Sequence, residues 1–311
     1  THSTGRRQRQ MCIRDRLGTE LTIGGAVAIA KRHQLSEFFV GLVILSFGSD
    51  LPELAVAVDA GLKSLGGLEA SGVVVGSSIG SVMAQMGFVL GVAGLIAFLV
   101  LPRRYVFRHG AVLLGATIIL FLFAYDGVVT RPEGFALITV YAIYVFALMK
   151  GERILEDPPE PMAEGGLKSW LVLLAGLAVV IGSSELTVSS VISLADRFNV
   201  SDALISVLVI GVGTSLPELS ISISAIMKKK TELSVGNIIG SNILDTLLPI
   251  AVASLISPVL FERSFLVFDL PYIFLLTFIT LVFFVRVRGL QKFEAGIILG
   301  LYLLYVAIKL H

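Results

Sequence analysis

The sequence predicts an all-α membrane protein of ten transmembrane helices in two inverted five-helix repeats, with helices 2 and 7 broken at the core. Three observations predict it: an extremely apolar composition, ten stretches long enough to cross a bilayer, and two halves that repeat each other's motifs. Of 311 residues, 55% are hydrophobic and 15% charged, with a mean hydropathy of +0.90, values outside the range of ordinary soluble domains. The net charge is +1, so no global field favours nucleic acid or an acidic partner. The single cysteine, Cys12, excludes an internal disulfide framework and a cysteine-based metal site.

A membrane helix needs about 20 mainly apolar residues. On that measure the spans lie near residues 17–30, 37–62, 71–101, 106–125, 132–149, 168–195, 203–227, 233–257, 264–285 and 293–310. Residues 17–149 form repeat 1 and residues 168–311 repeat 2. They are joined by a linker, 150–167, that is polar and holds Pro158, Pro159 and Pro161. Residues 1–16 do not fit. The repeat relation sets Gly5 to Arg16, with its five arginines, against the apolar run Trp170 to Ile181. Such a stretch cannot form half of a lipid-facing helix at reasonable cost, and it lacks the apolar core of a signal peptide. The expectation is a foreign or misassembled leader, with the first half of span 1 missing.

The repeat itself is read from ordered matches. A shift of 165 places Glu20-Leu21-Thr22 on Glu185-Leu186-Thr187, and Gly48 to Leu54 on Gly213 to Leu219; a shift of 160 then places Gly76 to Ser81 on Gly236 to Ser241. Each half has five spans, an odd number, so the halves enter the membrane in opposite orientations. Loop charges agree. Fourteen Lys and Arg follow spans 1, 3, 5, 7 and 9, against five after spans 2, 4, 6 and 8 and at the C-terminus. This predicts a cytoplasmic linker and two extracytoplasmic termini in a multi-pass protein of the cell membrane.

Pro52 and Pro217 fall inside spans 2 and 7. Proline removes a helical hydrogen bond and frees a carbonyl four residues back. Glycine and small hydroxyl residues precede each proline (Gly48, Ser49; Gly213, Thr214, Ser215), and Glu53 or Glu218 follows. Carbonyls, hydroxyls and carboxylates are the oxygen ligands that hard cations such as Ca2+ and Na+ require. A lone Pro-Glu pair would fit a packing kink. Two copies in inverted repeats, each with a costly intramembrane carboxylate, favour an ion site. On spans 3 and 8, Ser77, Ser81 and Gln85 share one helix face, as do Asn237, Ser241 and Asp245. Gly76/Gly80 and Gly236/Gly240 also fit a small-residue packing seam.

Gly-Thr-Ser-Leu-Pro-Glu at 213–218, Gly-Ser-Asn-Ile-Leu-Asp at 240–245 and their repeat-1 partners resemble the alpha-repeat motifs of the cation/calcium antiporter superfamily, particularly its prokaryotic sodium/calcium exchanger branch. The resemblance runs over nearly the whole chain from about Glu20. It implies Ca2+/Na+ antiport at a central site with one Ca2+ position and several Na+ positions, with no cofactor, no obligatory protein partner, and the bilayer as surroundings. It implies that Glu53 and Glu218 are the shared carboxylates, that Ser49 and Thr214 give backbone carbonyls to Ca2+, and that Ser46 and Gly211 give theirs to outer Na+ positions. Ser215, Ser81 and Ser241 would complete the Na+ cages. Two residues depart from the pattern: Asp50 stands where a serine is usual, and Gln85 where an asparagine is usual. Glu53, Glu218, Asp50 and Asp245 are more carboxylates than one Ca2+ or a few Na+ require. At least one is expected to hold a proton or an extra cation, so H+ coupling through Asp50 is the alternative.

Glu20 and Glu185 lie within spans 1 and 6, as lining for access passages or as interface hydrogen-bonding groups. His33 and His109, beside arginines at span ends, are expected to be solvated, and the aromatic residues of spans 4, 5, 9 and 10 to face lipid. The nearest rival is a Ca2+/H+ antiporter, followed by a cation channel. An intramembrane aspartyl protease would need a Gly-x-Gly-Asp motif beside Tyr125-Asp126, and the sequence has none, so no enzyme is expected.

Overall fold

The computed structural model describes residues 2–151, 166–197, 213 and 215–309, with side chains over 17–150, 166–183, 213 and 215–309. The described residues are almost entirely helical. Helix α1 runs His2–His33. The next span is a bent pair, α2 (Glu37–Ser49) and α3 (Leu51–Leu65), meeting at 42°. There follow α4 (Ser71–Ile96), α5 (Arg103–Ala124), α6 (Arg131–Gly151), α7 (Gly166–Arg197), α8 (Leu216–Met227), α9 (Thr231–Ile256), α10 (Phe265–Val287) and α11 (Lys292–Lys309). Among the described residues six helices are long and apolar enough to cross a membrane, or seven with the bent pair counted as one span. Helix α11 has 18 residues, but Lys292, Glu294 and Lys309 lie at its ends. The expected span 71–101 is shorter in the structure. Its helix ends at Ile96, before a short extended run that precedes Pro102, consistent with the bias of a residue before proline toward extended backbone.

Helix α9 is the hub. It packs against α2, α3, α4, α5, α6 and α8 and is buried along nearly its whole length, as befits a helix with little polarity contrast between its faces. The outer helices present Phe107, Leu122, Phe135, Ile143, Phe146, Leu171, Val267 and Leu303 outward, an apolar exterior that fits hydrocarbon rather than water. Helices α1 and α7 lie against each other through glycines. A Cβ on Gly25 would fall 2.7 Å from the Leu173 nitrogen, and one on Gly176 would fall 2.4 Å from the Thr22 nitrogen. Two small backbone pairings tie loops together: Val128–Val129 (β1) with Val259–Leu260 (β2), and Leu99 with Leu290.

His109 is a correction to the sequence reading. It is wholly buried, packed on Phe38 and Tyr105, with Nδ1 2.8 Å from the Tyr144 hydroxyl. Not all aromatics of the outer helices face lipid either. On α10 and α11, Asp269 is buried and accepts hydrogen bonds from the Tyr305 hydroxyl and from Lys309 Nζ, each at 2.7 Å. An aromatic shell buries polar groups that lone membrane helices would leave in lipid.

Candidate cation site

Helix α3 begins after Asp50 and helix α8 after Ser215. These two residues occupy nearly the same backbone conformation, φ −88° and ψ 7° for Asp50 and φ −93° and ψ 7° for Ser215, in the sparsely populated region common at functional sites. Pro52 and Pro217 lie in the first turn of the new helices, where a missing N–H costs nothing. The chain restarts in the same way in both halves: Leu54 N–H donates to the Asp50 carbonyl at 3.2 Å, and Leu219 N–H to the Ser215 carbonyl at 3.0 Å. Glu53 and Glu218 therefore stand in the first turn of their helices, where the helix dipole favours negative charge.

Ser46, Ser49, Asp50, Glu53, Ser81, Gln85, Ser215, Glu218, Ser241 and Asp245 are all buried, and α2, α3, α4, α8 and α9 bring them to one region. Ser241 Oγ donates to Asp50 Oδ1 at 2.9 Å across the two repeats, and Ser49 Oγ is 3.2 Å from the same oxygen. Gln85 Nε2 donates to Asp245 Oδ2 at 2.9 Å. Asp50 lies within electrostatic reach of Asp245, Glu218 and Glu53. Ser46 Oγ is turned to the Leu42 carbonyl at 2.6 Å. Gly211 and Thr214 lie outside the described residues, as does the side chain of Glu185. Glu20 is exposed on α1.

Six carboxylate oxygens in this cluster are buried without a hydrogen-bond partner: Asp50 Oδ2, both of Glu53, both of Glu218, and Asp245 Oδ1. Buried carboxylates without partners are strongly unfavourable, and a cation supplies the missing partner. Among the described residues no three His, Cys, Asp or Glu side chains are arranged to hold a metal ion. A cation would therefore be held by few carboxylates together with hydroxyls and main-chain carbonyls, a donor set suited to Ca2+ and Na+. Sequence reading did not foresee that Gln85 and Asp245, which the 160-residue shift superimposes, bond directly to each other. It also assigned no role to Ser78, whose hydroxyl donates to the Asp245 carbonyl.

A family model described as sodium/calcium exchanger protein matches residues 17–150 and 168–311. The chain is 32% identical over 245 residues, 75% of each chain, to CaxA of Alkalimonas amylolytica, which is named as an antiporter. It is 24% identical over 333 residues, 94% of each, to the sodium/calcium exchanger MaX1 of Methanosarcina acetivorans. Its fold matches a solved structure of the sodium-calcium exchanger NCX_Mj soaked with Na+ and Sr2+, with a TM-score of 0.80 and 26% identity over 96% of this chain and 95% of that one.

Proposed function

Because the chain belongs to the sodium/calcium exchanger family, a family of transporters and not of enzymes, we propose that it exchanges Ca2+ for Na+ across a membrane by alternating access. The observation that carries this reading is the pair of restarted helices whose glutamates, Glu53 and Glu218, each bury two unpartnered carboxylate oxygens. A Ca2+ held by both glutamates and a set of Na+ using the same oxygens exclude one another, and that competition couples the fluxes. Ser49, Thr214, Asp50, Ser215, Ser81, Ser241, Gln85, Asp245, Ser46 and Gly211 complete the ligand set. Moving the site across the bilayer is affordable only when its charges are compensated, so α1 and α7 slide along the core when the site is filled with either ion. Glu20 and Glu185 stand along their path.

The proposed architecture has ten spans in two inverted repeats, residues 17–149 and 168–311, with a leader over 1–16 and a cytoplasmic linker over 150–167. The loop pairings support it. Leu99 pairs with Leu290 and Val129 with Val259, and adding 160 to 99 gives 259, while subtracting 160 from 290 gives 130, one residue from 129. A two-fold axis converts one pairing into the other. The loops of the first pairing carry Arg103, Arg104, Arg286 and Arg288 and belong on the cytoplasmic side. The second pairing then lies outside, as do both termini, and the axis lies in the membrane plane. The contact between Gln85 and Asp245, counterparts under the 160 shift, supports a site near the midplane.

A second reading, Ca2+/H+ antiport, is favoured by one observation. Asp50 replaces, in one repeat, the neutral Ser215 of the other, and it faces the remaining carboxylates. The deciding experiment is Ca2+ uptake into proteoliposomes loaded with Na+, with K+, or with an acid interior, with Glu218→Gln as control. Uptake that requires internal Na+ and is lost in the variant is expected; uptake driven by the acid interior alone would replace Na+ with H+ as the counter-ion.

A further inference from the structure

Between α5 and α10 runs an apolar groove of about 570 Å3, within the range of about 300–1,000 Å3 usual for small-molecule sites. Phe107, Gly110 and Ala111 line it from α5, and Phe278, Val282 and Arg286 from α10. Gly110 sets the approach of the two helices, since a Cβ there would fall 2.7 Å from a Leu281 methyl carbon, and the side chain of Ala111 beside it is too short to fill the space outside. The interval from Phe278 to Arg286 along α10 is about 12 Å, close to the hydrocarbon depth of one leaflet, about 15 Å. The repeat does not require this groove. The positions 160 residues from Gly110, Ala111 and Arg286 hold Leu270, Pro271 and Asp126, two bulkier side chains and one of opposite charge.

One end of the groove is basic, and on the proposed topology it is the cytoplasmic end. Arg286 lines it, and Arg103 Nη2 donates to the Val285 carbonyl at 3.4 Å, which holds a second guanidinium at the same mouth with most of its five N–H donors to spare. Residues 97–110 and 270–292 contain no Asp or Glu, and among the described residues neither Arg103 nor Arg286 is in an ion pair. Helix α5 also begins at Arg103, so the positive end of its dipole, which favours phosphate, points to this mouth. An apolar cleft that ends in unpaired guanidinium groups matches an amphiphile with a long tail and an anionic head. The cytoplasmic leaflet supplies such molecules as anionic phospholipids. A second copy of the chain fits less well, because a parallel two-fold pairing through this face would bring the two sets of arginines together.

We propose that this groove binds an anionic phospholipid of the cytoplasmic leaflet, with an acyl chain lying along Gly110 and Ala111 and the headgroup phosphate held by Arg103 and Arg286. The proposal rests on the topology above and not on which ions are exchanged. The test takes the full chain in mild detergent, offers phosphatidylglycerol and phosphatidylcholine with the same acyl chains in equal amounts, and counts the lipid that survives delipidation by native mass spectrometry. The parent is expected to retain phosphatidylglycerol about tenfold over phosphatidylcholine, the size of effect that one or two basic groups at the membrane surface give. Ala111→Phe fills the groove from an exposed position and should abolish retention of both lipids, whereas Arg103→Gln combined with Arg286→Gln should keep retention and lose the preference. Equal retention of the two lipids by the parent, or retention unchanged in Ala111→Phe, would overturn the proposal. So would a two-chain species that Ala111→Phe dissociates, which would assign the groove to a second copy. Arg286→Gln alone, at an exposed position, decides the matter through the lipid preference if Ala111→Phe does not fold. Failure of the underlying readings would look different: a reversed topology would label Lys292→Cys from outside with the lipid preference intact, overturning the choice of leaflet, and a chain that is no exchanger would lack Na+-driven Ca2+ uptake with retention unchanged.

Discussion

Neither oxygen of Glu53 or of Glu218 has a well-formed hydrogen bond, although Ser81 lies near Glu53 and Ser49 and Asp50 lie near Glu218; one oxygen of Asp50 accepts from Ser241 and one of Asp245 from Gln85. On the proposed reading the glutamates are the principal ion ligands, with Asp50 and Asp245 each anchored through one oxygen and open at the other. Glu53→Gln and Glu218→Gln are each expected to abolish Na+-dependent Ca2+ uptake while leaving the purified protein monodisperse, because an amide fills the space without the charge. Asp50→Ser tests proton coupling. If Asp50 admits H+, the variant should retain Na+/Ca2+ exchange and lose part of its pH dependence; an unchanged pH profile would count against that role. Glu53, Glu218, Asp50 and Asp245 were all legible in the sequence, since charged residues in apolar spans stand out. Their hydrogen-bond partners were not, because donor and acceptor lie 160 or more residues apart.

The seam between α2 and α9 is decided by main-chain approach. A methyl group on Gly240 would lie 2.1 Å from the Leu42 carbonyl oxygen, so Gly240→Ala must push the helices apart. Overpacking of this kind costs about 1–3 kcal/mol, and a lowered Tm in detergent is expected, whereas Gly76→Ala, with nothing within 4 Å, should leave Tm unchanged. The outer helix pairs are joined by buried polar contacts at matching places: His109 with Tyr144, and Asp269 with Tyr305, with His109 and Asp269 separated by the same 160 residues. In the second pair Lys309 also reaches Asp269. Lys309→Met leaves a buried carboxylate without its counter-charge, and thermal stability should fall by about 3 kcal/mol, more than in Tyr305→Phe. Sequence periodicity located these helices but misjudged His109, because a span-end position beside arginines reads as solvated until a neighbouring helix covers it.

For the whole molecule, the near-exchange of the two loop pairings under a shift of 160 supports the proposed two-fold axis in the membrane plane. That geometry predicts opposite sidedness for the two pairings. Lys292→Cys, exposed beside Leu290, should react with an impermeant thiol reagent from the cytoplasmic face, and Arg263→Cys, exposed beyond the β2 strand, from the outer face. Labelling of both from one face would refute the inverted arrangement.

By itself the sequence determined the membrane class, the repeat and the carboxylates, because hydropathy, charge placement and motif order are properties of the chain read in one dimension. The break at Asp50 and the helix start after Ser215 were also foreseen, since a proline acts on its own helix. Only the tertiary structure decided which groups face one another. Gln85 meets Asp245, Ser241 meets Asp50, Phe38 covers His109, and Gly236 and Gly240 bear the contact with the main chain of α2. Those choices depend on how distant helices pack, and packing is set by the shapes of both surfaces together, which no single segment encodes.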